Sequence, residues 1–358
     1  MRWPRVWRVV RWTAVGVGLL LLVAPLVSAE VRFVYRGGWE LLRIQWRATS
    51  ITALLQDPAL DSATRSQLTL VLDARSFAVD SLALNADKSF TRYVDIGRDT
   101  LVLVLSASPH DRLAAYTWWF PITGRVSYHG YYSLAAAERA AARFKERGYD
   151  TYLRTAGAFS TLGWLPDPLF STSVGPGPWV AVTVMHELAH NTVWFPGETQ
   201  FSESLADLIG YRGAEQFFRS RGDTTNARRM VQAWEHNRVL SRIQMSLVAA
   251  LREALREGRE PDERERRRAA AFTAADSSIQ SSGINPGRAL RVAIAEYNNA
   301  AVIAAGLYHG DLNGLEALYQ SCGGILAAVT AAVRTAADPS SARCSADAVP
   351  LSGTPSAH

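Results

Sequence analysis

The chain has 358 residues, of which 48% are hydrophobic and 20% are charged, and its formal net charge is +5. This composition excludes a disordered or collagen-like chain and is typical of a globular protein with a sizeable core. The two cysteines, Cys322 and Cys344, are too few for a disulfide-dense scaffold or a four-cysteine zinc site, although they could pair in an oxidising compartment.

Much of the excess positive charge lies at the N-terminus. Residues 1–12 contain four arginines and no acidic residue, and residues 13–27 carry no charge. This pattern is typical of a secretory signal over residues 1–29, cleaved after Ala29, and an uncleaved signal anchor is the alternative. Either way we expect an exported protein of the periplasm or cell envelope. Its only predicted membrane contact is the N-terminal segment, if that segment is kept.

Export also weakens the argument for a nucleic-acid partner. Removing residues 1–29 takes away four of the 38 basic residues and none of the 33 acidic ones, so the net charge falls to +1. We therefore expect no nucleic-acid partner. The sequence does not indicate an oligomeric state.

Hydrophobic spacing predicts the elements of the exported body. Near-helical spacing over 37–55 and again over 59–84 predicts a pair of helices separated at Asp57-Pro58. The later elements are predicted in this order: strands at 100–105, 117–120 and 125–128, a helix at 133–147, a strand at 149–155, a structured loop at 157–178, and helices from Trp179 onward.

These elements predict an α+β fold. We expect one continuous domain over residues 30–335, with helices and a small mixed sheet up to about residue 178 and a predominantly helical half after it. Residues 336–358 are rich in Ser, Ala and Pro, which predicts a disordered tail.

Residues 186–190 read His-Glu-Leu-Ala-His. On a helix, His186 and His190 lie four residues apart on one face, so both imidazoles can reach one metal ion, and Glu187 lies beside them. This pattern favours zinc, with Glu187 as the general base that takes a proton from water during hydrolysis of a peptide bond. The apolar run Trp179–Met185 predicts a buried helix.

Zinc in a hydrolytic site usually takes three protein ligands, so a third should follow the histidines. Glu203 comes thirteen residues after the second histidine, and Pro196-Gly197 allows a turn between them. Glu198 is the competing ligand, although a carboxylate in that turn is more often solvated. Asp207 could orient a ligand imidazole by accepting its other N–H, or could be a surface acid.

A tyrosine or histidine usually shares the stabilisation of the oxyanion in such a reaction. The sequence offers several candidates and does not choose among them: Tyr211, His236, Tyr297 and His309.

Several segments together resemble the predicted zinc aminopeptidase family of proteobacteria. They are Ala158–Leu169, the His-Glu-Leu-Ala-His run, and Phe-Ser-Glu-Ser-Leu-Ala at 201–206, with further similarity at 92–98, 127–131 and 296–300. The resemblance covers about residues 35–335. It implies a zincin-like, gluzincin-type metallopeptidase of the envelope with one zinc per chain.

The resemblance also implies roles for individual residues. His186, His190 and Glu203 would be the ligands and Glu187 the base. The chain departs from the family pattern at Ser202, where Asn is usual, and at Asp207, where Thr is common. It also lacks the lipoprotein cysteine that many members carry.

The segment before the metal helix could bind substrate. Residues Ser160, Thr161, Leu162, Gly163 and Trp164 are of types that fit an edge along which a peptide lies extended, and Gly163 permits close backbone approach. A structural loop that packs Trp164 into the core is the alternative.

The leading hypothesis is an exported zinc-dependent peptidase, either an aminopeptidase or an endopeptidase, with a peptide as substrate. The alternative is a non-catalytic envelope protein whose zinc site stabilises the fold or supports an interaction. Glu187 favours the first hypothesis, because a structural site needs no general base.

Overall fold

The computed structural model describes residues 7, 10–13, 15, 23, 29–97, 100, 102–120, 124–156, 166–256, 260–336 and 341–344. The chain divides into two compact units, Met1–Ala48 and Thr49–His358, and each is described by itself. Most of the predicted signal and the whole of the predicted substrate segment 160–164 lie outside the described residues.

The first unit contains helix α1 (Ala29–Arg47). The predicted helix over 37–55 is therefore interrupted at residues 48–50, between two helical stretches. There, strand β1 (Thr49–Ser50) pairs with a later strand, and the Ser50 side chain accepts a hydrogen bond from Ala53 N to begin the short helix α2 (Ile51–Leu54). Among the described residues, no helix has both the length and the apolar character needed to cross a membrane.

The second unit has an α+β architecture, as predicted, and is mostly helical. Its first long helix, α3 (Ser62–Leu82), begins where the Asp61 side chain accepts a hydrogen bond from Thr64 N, and it ends at Ala83 in the left-handed conformation. This helix corresponds to the one predicted over 59–84.

Within the described residues, the strands form three small sheets instead of one small mixed sheet. Their order along the chain, with the one helix between them, is β2 (Arg92–Val94), β3 (Val102–Pro109), β4 (Trp118–Phe120), β5 (Gly124–Val126), β6 (His129–Tyr131), α4 (Leu134–Lys145), β7 (Tyr149–Ala156) and β8 (Leu169–Phe170). Only the sheet β1-β2-β8 is mixed, because β2 pairs antiparallel with β1 and parallel with β8. The sheet β6-β3-β7 is antiparallel, and β4 pairs with β5 alone.

From Trp179 onward the described chain is helical, as predicted. The helices are α5 (Trp179–Thr192), α6 (Thr199–Ser220), α7 (Thr224–Ala254), α8 (Pro261–Ser282), α9 (Gly287–Glu296), α10 (Asn299–Gly306), α11 (Leu312–Ser321) and α12 (Leu326–Thr335). Cys322, at the end of α11, forms a disulfide with Cys344, which ties residues 341–344 back to the helices. That part of the predicted tail is thus covalently held.

Helix α5 lies in the largest buried cluster of apolar side chains. Val184, Met185 and Leu188 are completely buried there, together with side chains of α3 and α6. Burying one such side chain stabilises a fold by about 1.5–3 kcal/mol. The core therefore fixes the helix that carries the histidine pair.

Helix α10 connects the helical half to the antiparallel sheet. The Asn299 side chain donates hydrogen bonds to Pro109 O and His110 O, and Asn298 donates to Thr151 O. On its other side, Gln200 of α6 donates to Gly306 O at 2.6 Å. These bonds hold the turn after α10, which contains Tyr308 and His309, against α6.

Candidate metal centre

Helix α5 presents its two histidines on one face. His186 and His190 are one helical turn apart, and their rings pack edge to face with centroids 4.9 Å apart. His190 is buried and the His186 side chain is 13% exposed. The burial follows from the apolar residues around them in the sequence.

A short turn brings α6 back along α5. Gly197 has a φ of 87°, a left-handed conformation that glycine adopts without strain. Phe195 N donates to the Ser202 hydroxyl at 3.2 Å, and the Phe195 and Phe201 rings pack edge to face. The predicted turn at Pro196-Gly197 therefore lies between the two helices.

Gly210 of α6 lies close to the backbone of α5. A Cβ added there would lie 3.0 Å from Val182 O and 3.4 Å from the His186 Cβ. The 3.0 Å contact with the backbone oxygen is tighter than ordinary van der Waals contact. The missing side chain thus allows α6 to lie directly against the histidine helix.

This packing brings Glu203 to the histidines. The Nε2 atoms of His186 and His190 are 3.2 Å apart, and the Glu203 Oε2 lies 3.4 Å from the first and 3.7 Å from the second. Within the part of the chain that the structure describes, these three residues form a group able to hold a metal ion.

The spacing of the three atoms fits a zinc ion. Zinc ligands lie about 2.0–2.2 Å from the metal, so two ligands of a tetrahedron are about 3.3–3.6 Å apart. The observed separations of 3.2, 3.4 and 3.7 Å span that interval. Two imidazoles and one carboxylate are also a common donor set for catalytic zinc.

Asp207 lies one turn beyond Glu203 and contacts the outer nitrogen of a histidine. Its Oδ1 is 2.9 Å from the His186 Nδ1, which leaves the Nε2 of that ring directed at the group. A carboxylate in this position fixes the orientation and tautomer of a ligand imidazole. The Nδ1 of His190, in contrast, is buried with no hydrogen-bond partner among the described residues.

Burial and nearby charges shift the carboxylate pKa values in opposite directions. Burial raises the pKa of Glu187, the nearby His186 and His190 lower it, and Glu203 raises it further, so that it ends above its ordinary value. Burial also acts to raise the pKa of Glu203, but hydrogen bonds from the two histidines outweigh it and hold this pKa well below its ordinary value. Glu203 is therefore ionised beside the histidines, and Glu187 is the stronger base.

Two tyrosines that sequence reasoning missed lie in the electrostatic environment of Glu203. Burial and the charge of Glu203 raise the pKa of both Tyr128 and Tyr308, and the charge of Arg154 partly opposes this. The Arg154 guanidinium lies 5.7 Å over the Tyr308 ring. The one available signal was that Tyr128 falls in a segment, 127–131, with family resemblance.

The four candidates for stabilising an oxyanion lie in different surroundings. His236 is exposed, and the Tyr297 ring stacks on Phe272 at 5.0 Å. Burial lowers the pKa of His309 while Asp207 partly opposes this, and burial and Asp207 raise the pKa of Tyr211 to about 12. Of the four candidates, Tyr211 and His309 are thus the two whose pKa values are shifted by the charge of Asp207.

Two further carboxylates also differ in position. Glu198, the competing ligand, is exposed immediately before α6 and does not belong to the described metal group. Asp167 is buried, and its charge contributes to the raised pKa of Glu187. Asp167 is therefore close enough to the histidine helix for its charge to act on Glu187.

The model of a family described as "Putative aminopeptidase" matches residues 32–346, which is most of the chain. No curated protein and no solved structure matches the chain.

Proposed function

Since the chain belongs to the aminopeptidase family whose model it matches, we propose that it is an exported, zinc-dependent peptidase. The family supports a hydrolase that acts on peptides. The zinc, the mechanism and the location are our inferences from the residues of the candidate centre and from the N-terminal sequence.

One observation carries the proposal. His186, His190 and Glu203 converge at separations suited to zinc, and a fourth residue, Glu187, lies beside them with its pKa raised mainly by burial. A purely structural site would use its protein ligands to complete the coordination and would have no use for a basic carboxylate.

The chemistry follows from this arrangement. Zinc, when bound, would activate a water and polarise the peptide carbonyl. Glu187 takes a proton from the attacking water and delivers it to the leaving amine. Asp207 holds the His186 ring in place. Tyr128 and Tyr308 are near Glu203, and as protonated tyrosines they can donate a hydrogen bond to the carbonyl oxygen as charge develops on it.

Export has independent support in the cysteine chemistry. A structural disulfide such as Cys322–Cys344 is typical of oxidising compartments, for example the periplasm or the cell surface. This agrees with the predicted signal at residues 1–29.

The decisive variant is Glu187→Gln. We expect it to bind about one zinc per chain, as the wild type should, and to lose about 10²–10⁴-fold in kcat on peptides, because the general base is gone. Zinc content and peptide turnover are measured on the same preparations. Glu198→Gln, which changes an exposed glutamate, serves as the matched control and should keep both.

Three results would reject the proposal. A wild type without zinc would contradict the metal site, and full activity of Glu187→Gln would contradict the role of that residue. Bound zinc without turnover across broad peptide libraries would favour a structural or interaction-supporting site instead.

The same screen separates an aminopeptidase from an endopeptidase. An aminopeptidase binds the free amine of its substrate, so acetylating the N-terminus of a cleaved peptide should abolish cleavage. Continued cleavage would reject aminopeptidase specificity while leaving the peptidase itself intact.

A further inference from the structure

Helix α1 has a stripe of exposed aromatic and apolar side chains. Tyr35, Trp39, Leu42 and Trp46 are 45%, 58%, 51% and 71% exposed. Their spacing of four, three and four residues places them on one face of the helix. Ile44, which the helical period places on the opposite side, is buried. We call the four residues the aromatic stripe.

The chemistry of the aromatic stripe is that of a membrane interface. Trp and Tyr are the side chains most enriched where a bilayer meets water, because each combines an apolar ring with a polar group. Three of the four residues are of these types, and the Trp39 and Trp46 rings also pack edge to face at 5.9 Å.

Basic residues follow the aromatic stripe along the helix. Arg43 and Arg47 come immediately after Leu42 and Trp46 in the sequence, which places them about 100° around the helix on one flank of the stripe. The Arg43 side chain is 54% exposed. Residues 29–47 contain four arginines and two glutamates, a surplus of positive charge that suits anionic lipid headgroups.

We propose that α1 lies flat in the interface of a bilayer that contains anionic lipid, with the aromatic stripe inserted among the headgroups. An apolar stripe flanked by arginine is typical of helices that lie on a membrane without crossing it. The helix directly follows the predicted signal, so it would give the exported chain a membrane contact that remains after cleavage. This inference does not depend on the proposed peptidase activity.

The test measures how close this face is to lipid. A fluorophore is attached to Leu42→Cys in the full chain, whose native cysteines are paired in the disulfide. Leu134→Cys, at a site 57% exposed in the other unit, is the matched control. Each labelled chain is mixed with vesicles of phosphatidylcholine and about 30% phosphatidylglycerol that carry nitroxide quenchers at headgroup depth.

We expect the label at residue 42 to be quenched severalfold more than the label at residue 134. Adding Trp39→Ser and Trp46→Ser should reduce that quenching, and adding Trp119→Ser, another exposed tryptophan, should not. Residues 13–27 alone could keep the chain on vesicles, so co-sedimentation is not the criterion.

Equal quenching at the two positions would overturn the proposal, as would absence of vesicle binding. Concentration-dependent self-quenching at residue 42, with no quenching by lipid, would assign the aromatic stripe to contact with a second copy of the chain and would overturn it as well.

Discussion

Helix α6 carries two buried polar clusters that balance their charges in different ways. Near its start, Glu203 faces His186 and His190, and we call these three residues the metal cluster because they could hold a metal ion. Farther along, Arg212 contacts Glu215 of the same helix and Glu316 of α11, and these three are the arginine cluster.

In the arginine cluster, the charged groups find their ion-pair and hydrogen-bond partners within the chain. Arg212 lies 2.8 Å from the Glu215 carboxylate and 2.6 Å from that of Glu316. Trp234 donates a further hydrogen bond to Glu316 at 2.7 Å, and Gln320 donates one at 2.7 Å. A buried ion pair with all its partners in place has little need of an external ligand.

In the metal cluster, the charges are not balanced in the same way. With its neighbours Glu187 and Asp207, the cluster places three carboxylates near two imidazoles. Within the described ranges, no lysine or arginine forms an ion pair with any of the three, and the His190 Nδ1 lacks a partner. A buried ion pair whose partners all lie within the chain has its charges compensated there, whereas an excess of buried carboxylates over cationic side chains indicates a site for a cation.

Removing a ligand from the metal cluster should cause the greatest loss of zinc affinity. Glu203→Ala removes one of three ligands, so zinc affinity should fall by more than the about 10–100-fold typical of losing a residue that merely orients a ligand. Titration calorimetry with zinc measures this. Glu198→Ala, in the exposed turn, should bind zinc like the wild type.

The opposite result would exchange the roles of Glu198 and Glu203 as the third ligand. If Glu198→Ala lost zinc and Glu203→Ala kept it, Glu198 would be the third ligand and the observed convergence of Glu203 on the histidines would have another cause.

Breaking the arginine cluster should instead affect stability. Arg212→Met leaves the buried Glu316 carboxylate without its cation, which should lower the free energy of unfolding by about 3–5 kcal/mol. Urea unfolding measures the loss, and zinc content should not change. Adding Glu316→Gln removes the second charge and should recover part of the stability.

The pH dependence of the free energy of unfolding provides a separate check on the Arg212–Glu316 pair. Burial acts to raise the pKa of Glu316, but hydrogen bonds from Arg212, Gln320 and Trp234 outweigh it and leave the pKa below its ordinary value of 4.5. A lowered folded-state pKa gives stability that is present above the unfolded pKa and is lost as pH falls through the folded one. The difference between wild type and Arg212→Met should therefore shrink in acid; a difference independent of pH would show that the loss is one of packing.

A smaller effect should follow from Asp207→Asn. The variant keeps all three proposed ligands but weakens the hydrogen bond that orients His186, so zinc affinity should fall by about 10–100-fold, or about 1.4–2.7 kcal/mol. Competition with a chelator measures it. Asp73→Asn, which removes a carboxylate from the surface ion pair with Arg221, should change nothing; an equal loss in both variants would make the effect nonspecific.

Local sequence predicted the helices of the candidate centre well. The apolar run at 179–185, the spacing of the histidine pair and the Pro196-Gly197 turn are each contained within a few residues, and the structure has α5, the turn and α6 there. The meeting of Glu203 with the histidines was likewise predictable, because one tight turn between two helices leaves few ways for the second to pack.

What depends on distant contacts was not predictable. Strand β8 is two residues long and pairs with the distant strand β2, so the local sequence predicts only a loop over 157–178. Tyr308 reaches the surround of Glu203 because α10 is bonded to β3 and α6, through Asn299 and Gln200. No periodicity in the sequence encodes those bonds.

The smallest expected effect concerns the spacing of the two helices. In Gly210→Ala the new methyl group meets Val182 O at 3.0 Å, and a backbone atom cannot turn away as a side chain can. Helix α6 must then retreat by a few tenths of an ångström, which moves Glu203 and Asp207 away from His186. We expect zinc affinity to fall by less than in Asp207→Asn, about tenfold or below.

The neighbouring glycine provides the control for this effect. A Cβ at Gly213 would meet Leu82 Cδ1 and Met185 Sδ, each at 2.8 Å, and these are the ends of flexible side chains that can move aside. Gly213→Ala should therefore keep its zinc affinity, although repacking should alter its stability. If Gly213→Ala lost as much zinc affinity as Gly210→Ala, the metal cluster would depend on the packing of the whole helix pair, and the close approach at Gly210 would not be its specific determinant.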